Sequence, residues 1–251
     1  MLNKSAITIS SDYKYVKYLK RALDTINIHG TIADIYVYAV NFTDKQIHDL
    51  DGYNIQIIRD NNHLLSTCNN IIKTGEIEDN TNRNAGILSK DIKHISSLLY
   101  SEQGVYTCHS RFKNINFLLA NGYNNILCLD ADTVFNKNID HIFNKIDKDL
   151  YIIPVIIDGI ERIFDNEGML FINNNKNTIS FFKEVYNFIF TGDKWRNWDA
   201  DADALNYIMK INPLSIGRLD YRYKDNKFNN NSYMWSGDGD AKYLSKFNKL
   251  K

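Results

Sequence analysis

A chain of 251 residues that is 44% apolar and 13% aromatic can fill a sizeable core, which excludes general disorder and fits one large domain. Its 30 basic and 30 acidic side chains cancel, which argues against a protein whose main task is gripping nucleic-acid backbone. The balance hides a skew of 24 Asp against 6 Glu, and Asp favours turns, caps and metal-facing positions.

Ala6–Ser10 reads as a short strand. Ser11 or Asp12 would cap a helix from Tyr13 to about Ile26, with Val16, Leu19, Leu23 and Ile26 at helical spacing. Ile32–Val40 is the second expected strand, Thr43-Asp44 opens a short helix, and Ile55–Ile58 is the third strand. That alternation implies a parallel sheet with helices on its faces. The Asn-rich stretch after Asp60 reads as a loop over about 61–84, either a lid or a surface excursion, with a helix over Ile87–Tyr100.

Tyr106–Ala120 has a helical apolar face of Phe112, Ile115, Leu118 and Leu119, and Gly122 stands where a C-terminal cap belongs. Ile126–Leu129 is uniformly apolar, as a strand buried on both faces should be. Ile139–Phe143 reads as a short helix, Tyr151–Ile157 and Met169–Ile172 as strands, and Ile179–Phe190 and Ala204–Met209 as helices. Beyond Pro213 the tail reads as loop. The cysteines Cys68, Cys108 and Cys128 form neither a zinc pattern nor a disulfide framework. No apolar run approaches the ~18 residues of a membrane span, and the first residues lack a signal peptide's apolar stretch. The expectation is a cytoplasmic protein.

Asp130-Ala131-Asp132 carries the sharpest chemistry. Ligands of open α/β sheets bind beyond the carboxyl ends of strands. A buried strand that delivers two short carboxylates there offers hard oxygen ligands suited to Mg²⁺ or Mn²⁺, and such an ion suits a diphosphate.

Leu127-Cys-Leu-Asp-Ala-Asp-Thr-Val134 resembles the Asp-x-Asp region of GT-A glycosyltransferases, in particular the glycogenin and lipopolysaccharide galactosyltransferase group. The resemblance extends in order over most of the chain. It implies an α/β fold of GT-A (Rossmann-like) type, a mostly parallel central sheet flanked by helices, in one domain over 1–251. About 1–135 would be the nucleotide-binding half, and about 136–251 the acceptor-side half with a loop-rich C-terminal segment. It implies a metal-dependent enzyme that moves a sugar from a nucleotide-diphosphate donor, a UDP-sugar by family default, to an acceptor hydroxyl.

By the same resemblance Asp12 would bond the nucleotide base, Tyr15 would pack against it and Ser10 would lie beside them. Arg111 would meet the donor sugar and diphosphate; its alternative is a surface salt bridge. Asp130 and Asp132 would hold the metal, with Ala131 in the donor-binding turn. Phe164-Asp-Asn166-Glu-Gly168 resembles the family's Phe-Asn-x-Gly stretch with one residue inserted, which makes Asn166 a contact of the donor sugar. Glu167 would meet a sugar hydroxyl or point to solvent. Asp201 and the pair Leu205-Asn206 match the family's Asp-Gln-x-x-Leu-Asn segment, but Ala202 replaces its Gln. The alternating Asp199, Asp201 and Asp203 do not make a calcium loop, because Ala204 and Lys210 occupy its glycine and terminal carboxylate positions.

Trp235-Ser236-Gly-Asp-Gly239-Asp-Ala-Lys242 resembles the family's His-x-x-Gly-x-x-Lys motif. Gly239 and Lys242 match, and Lys242 would meet the diphosphate. Ser236 takes the place of the metal-binding His, so Ser236, Asp238, Asp240 or water would complete the metal shell. The resemblance implies retention of configuration. Asp201 acting as a base beside the acceptor would instead give inversion. The acceptor stays open between glycan, protein and modified base. Trp195, Arg196 and Trp198 read either as an aromatic acceptor platform or as core packing. Two other activities compete. A nucleotidyltransferase would carry a Gly-rich basic loop that Ser10-Ser-Asp-Tyr lacks, and a non-catalytic sugar-nucleotide binder would explain the lost Gln and His.

Overall fold

The computed structural model describes residues 4–65, 101–157, 160–164 and 168–237. Strand β1 (Ser5–Asp12) leads through a turn to helix α1 (Val16–His29), then to β2 (Asp34–Val40), the short helix α2 (Asp44–His48) and β3 (Gln56–Asp60). Helix α3 (Glu102–Ala120) precedes β4 (Asn125–Asp130) and β5 (Thr133–Phe135). After a 3-10 turn at Asp140–Asn144 come β6 (Leu150–Ile152), β7 (Val155–Ile157), β8 (Ile160–Arg162) and β9 (Met169–Asn173). Helices α4 (Lys176–Phe190) and α5 (Ala200–Ile211) are followed by β10 (Ile216–Arg218) and β11 (Met234–Ser236).

Seven strands form one sheet in the order β10-β6-β9-β4-β1-β2-β3. It is parallel from β4 to β3 and between β10 and β6, while β9 runs antiparallel to both β4 and β6. The mostly parallel α/β sheet expected from the sequence is therefore present as a single domain. Alternating side chains feed two cores. Ile7, Ile9, Leu127 and Leu129 pack towards α1 with Leu19, Leu23 and Ile26. Ala6, Ile126 and Cys128 pack towards α3 and α4 with Phe112, Ile115, Phe181 and Phe182.

Helix α3 ends as its sequence predicts. Gly122 has φ +75°, its N–H donates to the Leu119 carbonyl (3.2 Å), and Tyr123 N–H donates to the Leu118 carbonyl (3.2 Å). This pair of hydrogen bonds around Gly122 satisfies carbonyls that the helix end would otherwise orphan. Thr43 caps α2 in a reciprocal box with Gln46.

Four expectations need correction. Asp12 is not the cap of α1. It ends β1, and its Oδ1 accepts from the backbone N–H of Lys14 (3.0 Å) and Tyr15 (3.1 Å), so α1 starts only at Val16. Tyr151–Ile157 is not one strand, because Pro154 has no N–H to donate and separates β6 from β7. Helix α5 begins at Ala200, which puts Asp201 in its first turn. The tail beyond Pro213 is not all loop: β10 extends the main sheet, and β11 pairs antiparallel with β5. The expected helix at 87–100, and the expected loop beyond residue 65, lie outside the described residues.

Candidate active site

The β1–β4 register pairs Ser10 with Asp130, so Asp12 lies two residues beyond the end of β4 on the neighbouring strand. The reason is local. Two central strands run side by side to the same edge; β4 releases Asp130 directly after its apolar run, and β1 releases Asp12 after Ser10 and Ser11. Ala131 and Asp132 form the turn after β4, and β5 departs immediately from Thr133. The β5–β11 ladder sets Ser236 opposite Thr133, and Gly237 N–H donates to the Asp132 carbonyl (3.0 Å). The C-terminal strand thus brings Ser236 beside the Asp-x-Asp turn across about a hundred residues of chain.

Arg111 reaches the same point from α3. Its Nε donates to the Cys108 carbonyl (2.7 Å), and its Nη2 donates to Asp130 Oδ1 (3.0 Å). Desolvation opposes the buried guanidinium's charge, but Asp130, with Asp201 beyond it, outweighs it and raises its pKa. Desolvation pushes the Cys108 thiol up to about 12, against the pull of Arg111, and Asp130, Asp201 and Asp12 add to the rise. All three carboxylates and Arg111 are therefore within electrostatic reach of one position on α3.

Burial raises the pKa of Asp12, although the backbone N–H groups of Tyr15 and Lys14 oppose it. Tyr15 packs at 5.5 Å from the Tyr18 ring. Asp201 is buried, which raises its pKa, yet His109 and Arg111 together bring the value below the usual carboxylate range. His109 Nδ1 lies 3.7 Å from Asp201 Oδ2, and its Nε2 is 2.8 Å from the Asn197 carbonyl.

The structure brings Ser10, Asp12, Tyr15, Arg111, Asp130, Ala131, Asp132, Asp201 and Ser236 to one end of the sheet. Asn166, Glu167, Asp238, Gly239, Asp240 and Lys242 lie outside the described residues. Trp195 packs edge-on against Tyr106 at 5.6 Å, and Arg196 pairs with Glu102 (3.2 Å) and Asp193 (3.0 Å). Trp195 thus packs partly buried against the core, the core-packing alternative, while Arg196 is exposed in a surface ion pair.

Several residues at the site carried no motif. Gln103 and Asn41 bond each other (3.0 Å) near Asp12, and His109 backs Asp201. Lys224 Nζ, from the tail beyond Pro213, lies 3.9 Å from Asp130 Oδ2. Among the described residues, Ser10 Oγ, Asn41 Oδ1, Gln103 Nε2, Asn114 Oδ1 and His109 Nδ1 are buried without a close hydrogen-bond partner, His109 Nδ1 facing Asp201 Oδ2 at 3.7 Å. Buried polar atoms are costly to leave unpaired. Ser10, Asn41 and Gln103 lie beside Asp12 at the carboxyl end of the sheet, which fits a site completed by a polar ligand.

The donor set also fits a divalent ion. Among the described residues no group of three His, Cys, Asp or Glu converges, and the donors that the turn after β4 brings near one another are Asp130, Asp132 and the Ser236 hydroxyl. Mg²⁺-type ions are commonly held by one or two carboxylates with substrate phosphates completing the shell.

A doubly flanked sheet with an Asp-x-Asp turn at its carboxyl edge defines the class: a GT-A sugar transferase. Residues 77–247 match the family model of the nucleotide-diphospho-sugar transferases. The chain belongs to that family of glycosyltransferases. Among solved structures it is similar to the galactosyltransferase LgtC in complex with donor and acceptor sugar analogs (15% identity, TM-score 0.53, 93% of this chain and 87% of that one). It is similar to a glycosyltransferase involved in the glycosylation of the major capsid of PBCV-1 (12% identity, TM-score 0.52, 94% and 93% covered). It is also similar to the glycosyltransferase GlyE of Streptococcus pneumoniae TIGR4 (14% identity, TM-score 0.52), whose length it spans only to 46% while 88% of this chain is covered. At these identities the likeness speaks for the fold. Comparison with curated protein sequences gives no match. Among the described residues no helix is long and apolar enough to cross a membrane.

Proposed function

We propose that this chain transfers a sugar from a nucleotide-diphosphate donor, expected to be a UDP-sugar, to an acceptor hydroxyl with retention of configuration. One observation carries the reading: the β1–β4 register sets Asp12 beside an Asp130–Asp132 turn that Arg111 already holds. Ser10, Asp12 and Tyr15 would seat the nucleoside in the half spanning about 1–135. The acceptor, whether glycan, protein or modified base, would enter from the side of 136–251. A cytoplasmic location is part of the same proposal.

Asp130, Asp132 and Ser236 would hold Mn²⁺ or Mg²⁺, which as a Lewis acid offsets the charge gained by the leaving diphosphate. Arg111, fixed before any substrate arrives, adds preorganised positive charge on the same side. Asp201, kept ionised by His109 and Arg111, would lie on the side of the donor's reacting end. Asn166 on the donor sugar, and Gly239 with Lys242 on the diphosphate, complete the proposal by resemblance.

Nucleoside diphosphate release is measured with purified protein, Mn²⁺ and a panel of sugar nucleotides, with mass spectrometry of products formed from host extract. Consumption of one donor with a matching mass gain supports transfer. A protein that binds donors and consumes none sinks it. Proton NMR of the first product anomer tests retention, and an inverted anomer would move Asp201 to the role of base.

A further inference from the structure

Asp130 is bracketed on both oxygens. Arg111 Nη2 is 3.0 Å from Oδ1, and Lys224 Nζ is 3.9 Å from Oδ2. The Lys224 side chain is only 7% exposed. Its seat depends on Gly168, where a Cβ would stand 2.0 Å from Asp130 Oδ2 and 2.3 Å from Lys224 Nζ. The Gly168 carbonyl also accepts from Asp130 N–H (3.1 Å), so backbone and carboxylate are held together at this point.

The Lys224 backbone is anchored as well. Its N–H donates to the Tyr221 carbonyl (2.9 Å). The next residue, Asp225, is tied down by Ser232 Oγ (2.6 Å) and the backbone N–H groups of Lys227 and Asn229. A fixed backbone with a four-carbon stem leaves the ammonium as the adjustable end.

A divalent ion that approaches this carboxylate alone meets two positive charges already in place, and like charges at such distances repel strongly in a partly desolvated site. A diphosphate brings the negative charge that removes the conflict. We propose that Lys224 is a resident counter-ion of Asp130 that competes with the divalent ion, so that the ion is held tightly only together with a nucleoside diphosphate. Lys224 is then a positioning residue that sets the order of loading. This inference rests on the metal reading proposed above.

The test uses the full chain and Mn²⁺ itself, followed by electron paramagnetic resonance with and without UDP. Wild type, Lys224→Met, Lys224→Gln, Lys224→Arg and Asp132→Asn are compared, with circular dichroism as a check of folding. Without UDP, Lys224→Met and Lys224→Gln are expected to bind Mn²⁺ about tenfold more tightly than wild type, the order of one removed neighbouring charge. Lys224→Arg stays near wild type. With UDP present, the gap between wild type and Lys224→Met closes to about threefold or less. Unchanged or weaker Mn²⁺ binding in both neutral variants overturns the role of Lys224 while leaving the metal reading intact, provided Asp132→Asn loses the ion. If Asp132→Asn binds Mn²⁺ like wild type, the metal reading fails and the inference falls with it.

Discussion

Asp60 and Asp130 both end strands of the same sheet, and the fold uses them in opposite ways. Asp60 closes β3 at the sheet edge, where its Oδ2 accepts from the hydroxyls of Tyr38 and Tyr106, each at 2.6 Å, with Lys113 Nζ at 3.5 Å. Asp130 closes β4 near the centre, flanked by two cations and a glycine backbone. The first carboxylate is satisfied by the protein's own hydroxyls, which ties β2, β3 and α3 together. The second is balanced by charge in a bed without a side chain at Gly168, and charge balance can be exchanged for a charged ligand. A strand-end carboxylate is thus a tie or a ligand site according to what surrounds it, not according to where it stands.

The largest expected effect separates the two. Asp130→Asn should lower sugar transfer about a hundredfold or more, the scale of losing charge stabilisation worth several kcal/mol. Asp60→Asn should leave turnover within about twofold, because it removes hydrogen bonds remote from the transferred group. Equal losses of turnover in the two variants would erase the distinction. Gly168→Ala comes next. A methyl group forced between Asp130 and Lys224 should cost about 1–3 kcal/mol of stability and reduce transfer roughly tenfold, as overpacking does in a tight site. Thermal melts and initial rates would check it.

Acidity offers a finer test. The Asp60 pKa lies below its ordinary 3.8, because Tyr106, Tyr38 and Lys113 outweigh the opposing desolvation. A depressed carboxylate stabilises the fold above its unfolded pKa and loses that contribution as pH falls through the folded value. Urea unfolding at pH 7 should find Asp60→Asn about 1–2 kcal/mol less stable than wild type. The gap should narrow as the pH drops below 3.8. A gap that widens in acid would contradict the assignment. Tyr38→Phe is the smallest effect: about 1 kcal/mol or less, with Tyr106 still donating, and no change in sugar transfer.

How far the sequence announced this site depends on the kind of residue. Asp130 and Asp132 were legible because an apolar run ended abruptly in two acids, a local signal. Gly122 was legible for the same reason, since a helix end needs a residue that tolerates positive φ. His109 and Lys224 were not. His109 sits on the polar stretch of α3 with no periodic mark, and it matters only because α5 brings Asp201 within 3.7 Å. Lys224 stands in an Asn- and Tyr-rich tail whose strands are three residues long, too short for a period to show. Asp12 ends β1 and does not cap α1, because an acid before a helical pattern resembles a cap whether or not a turn intervenes.

The sequence by itself determined the elements whose signals are local: the alternation of apolar strands and amphipathic helices, the helix stops, and the carboxylates where β1 and β4 end. Only the tertiary structure decided which of those carboxylates meet cations and which meet hydroxyls. Strand order, the antiparallel insertion of β9 and the return of β11 onto β5 are long-range pairings, and no local periodicity encodes the partner of a strand. The charge environment of Asp130 is assembled from α3, the turn before β9 and the tail, three segments far apart in the chain that meet only when the sheet closes its order.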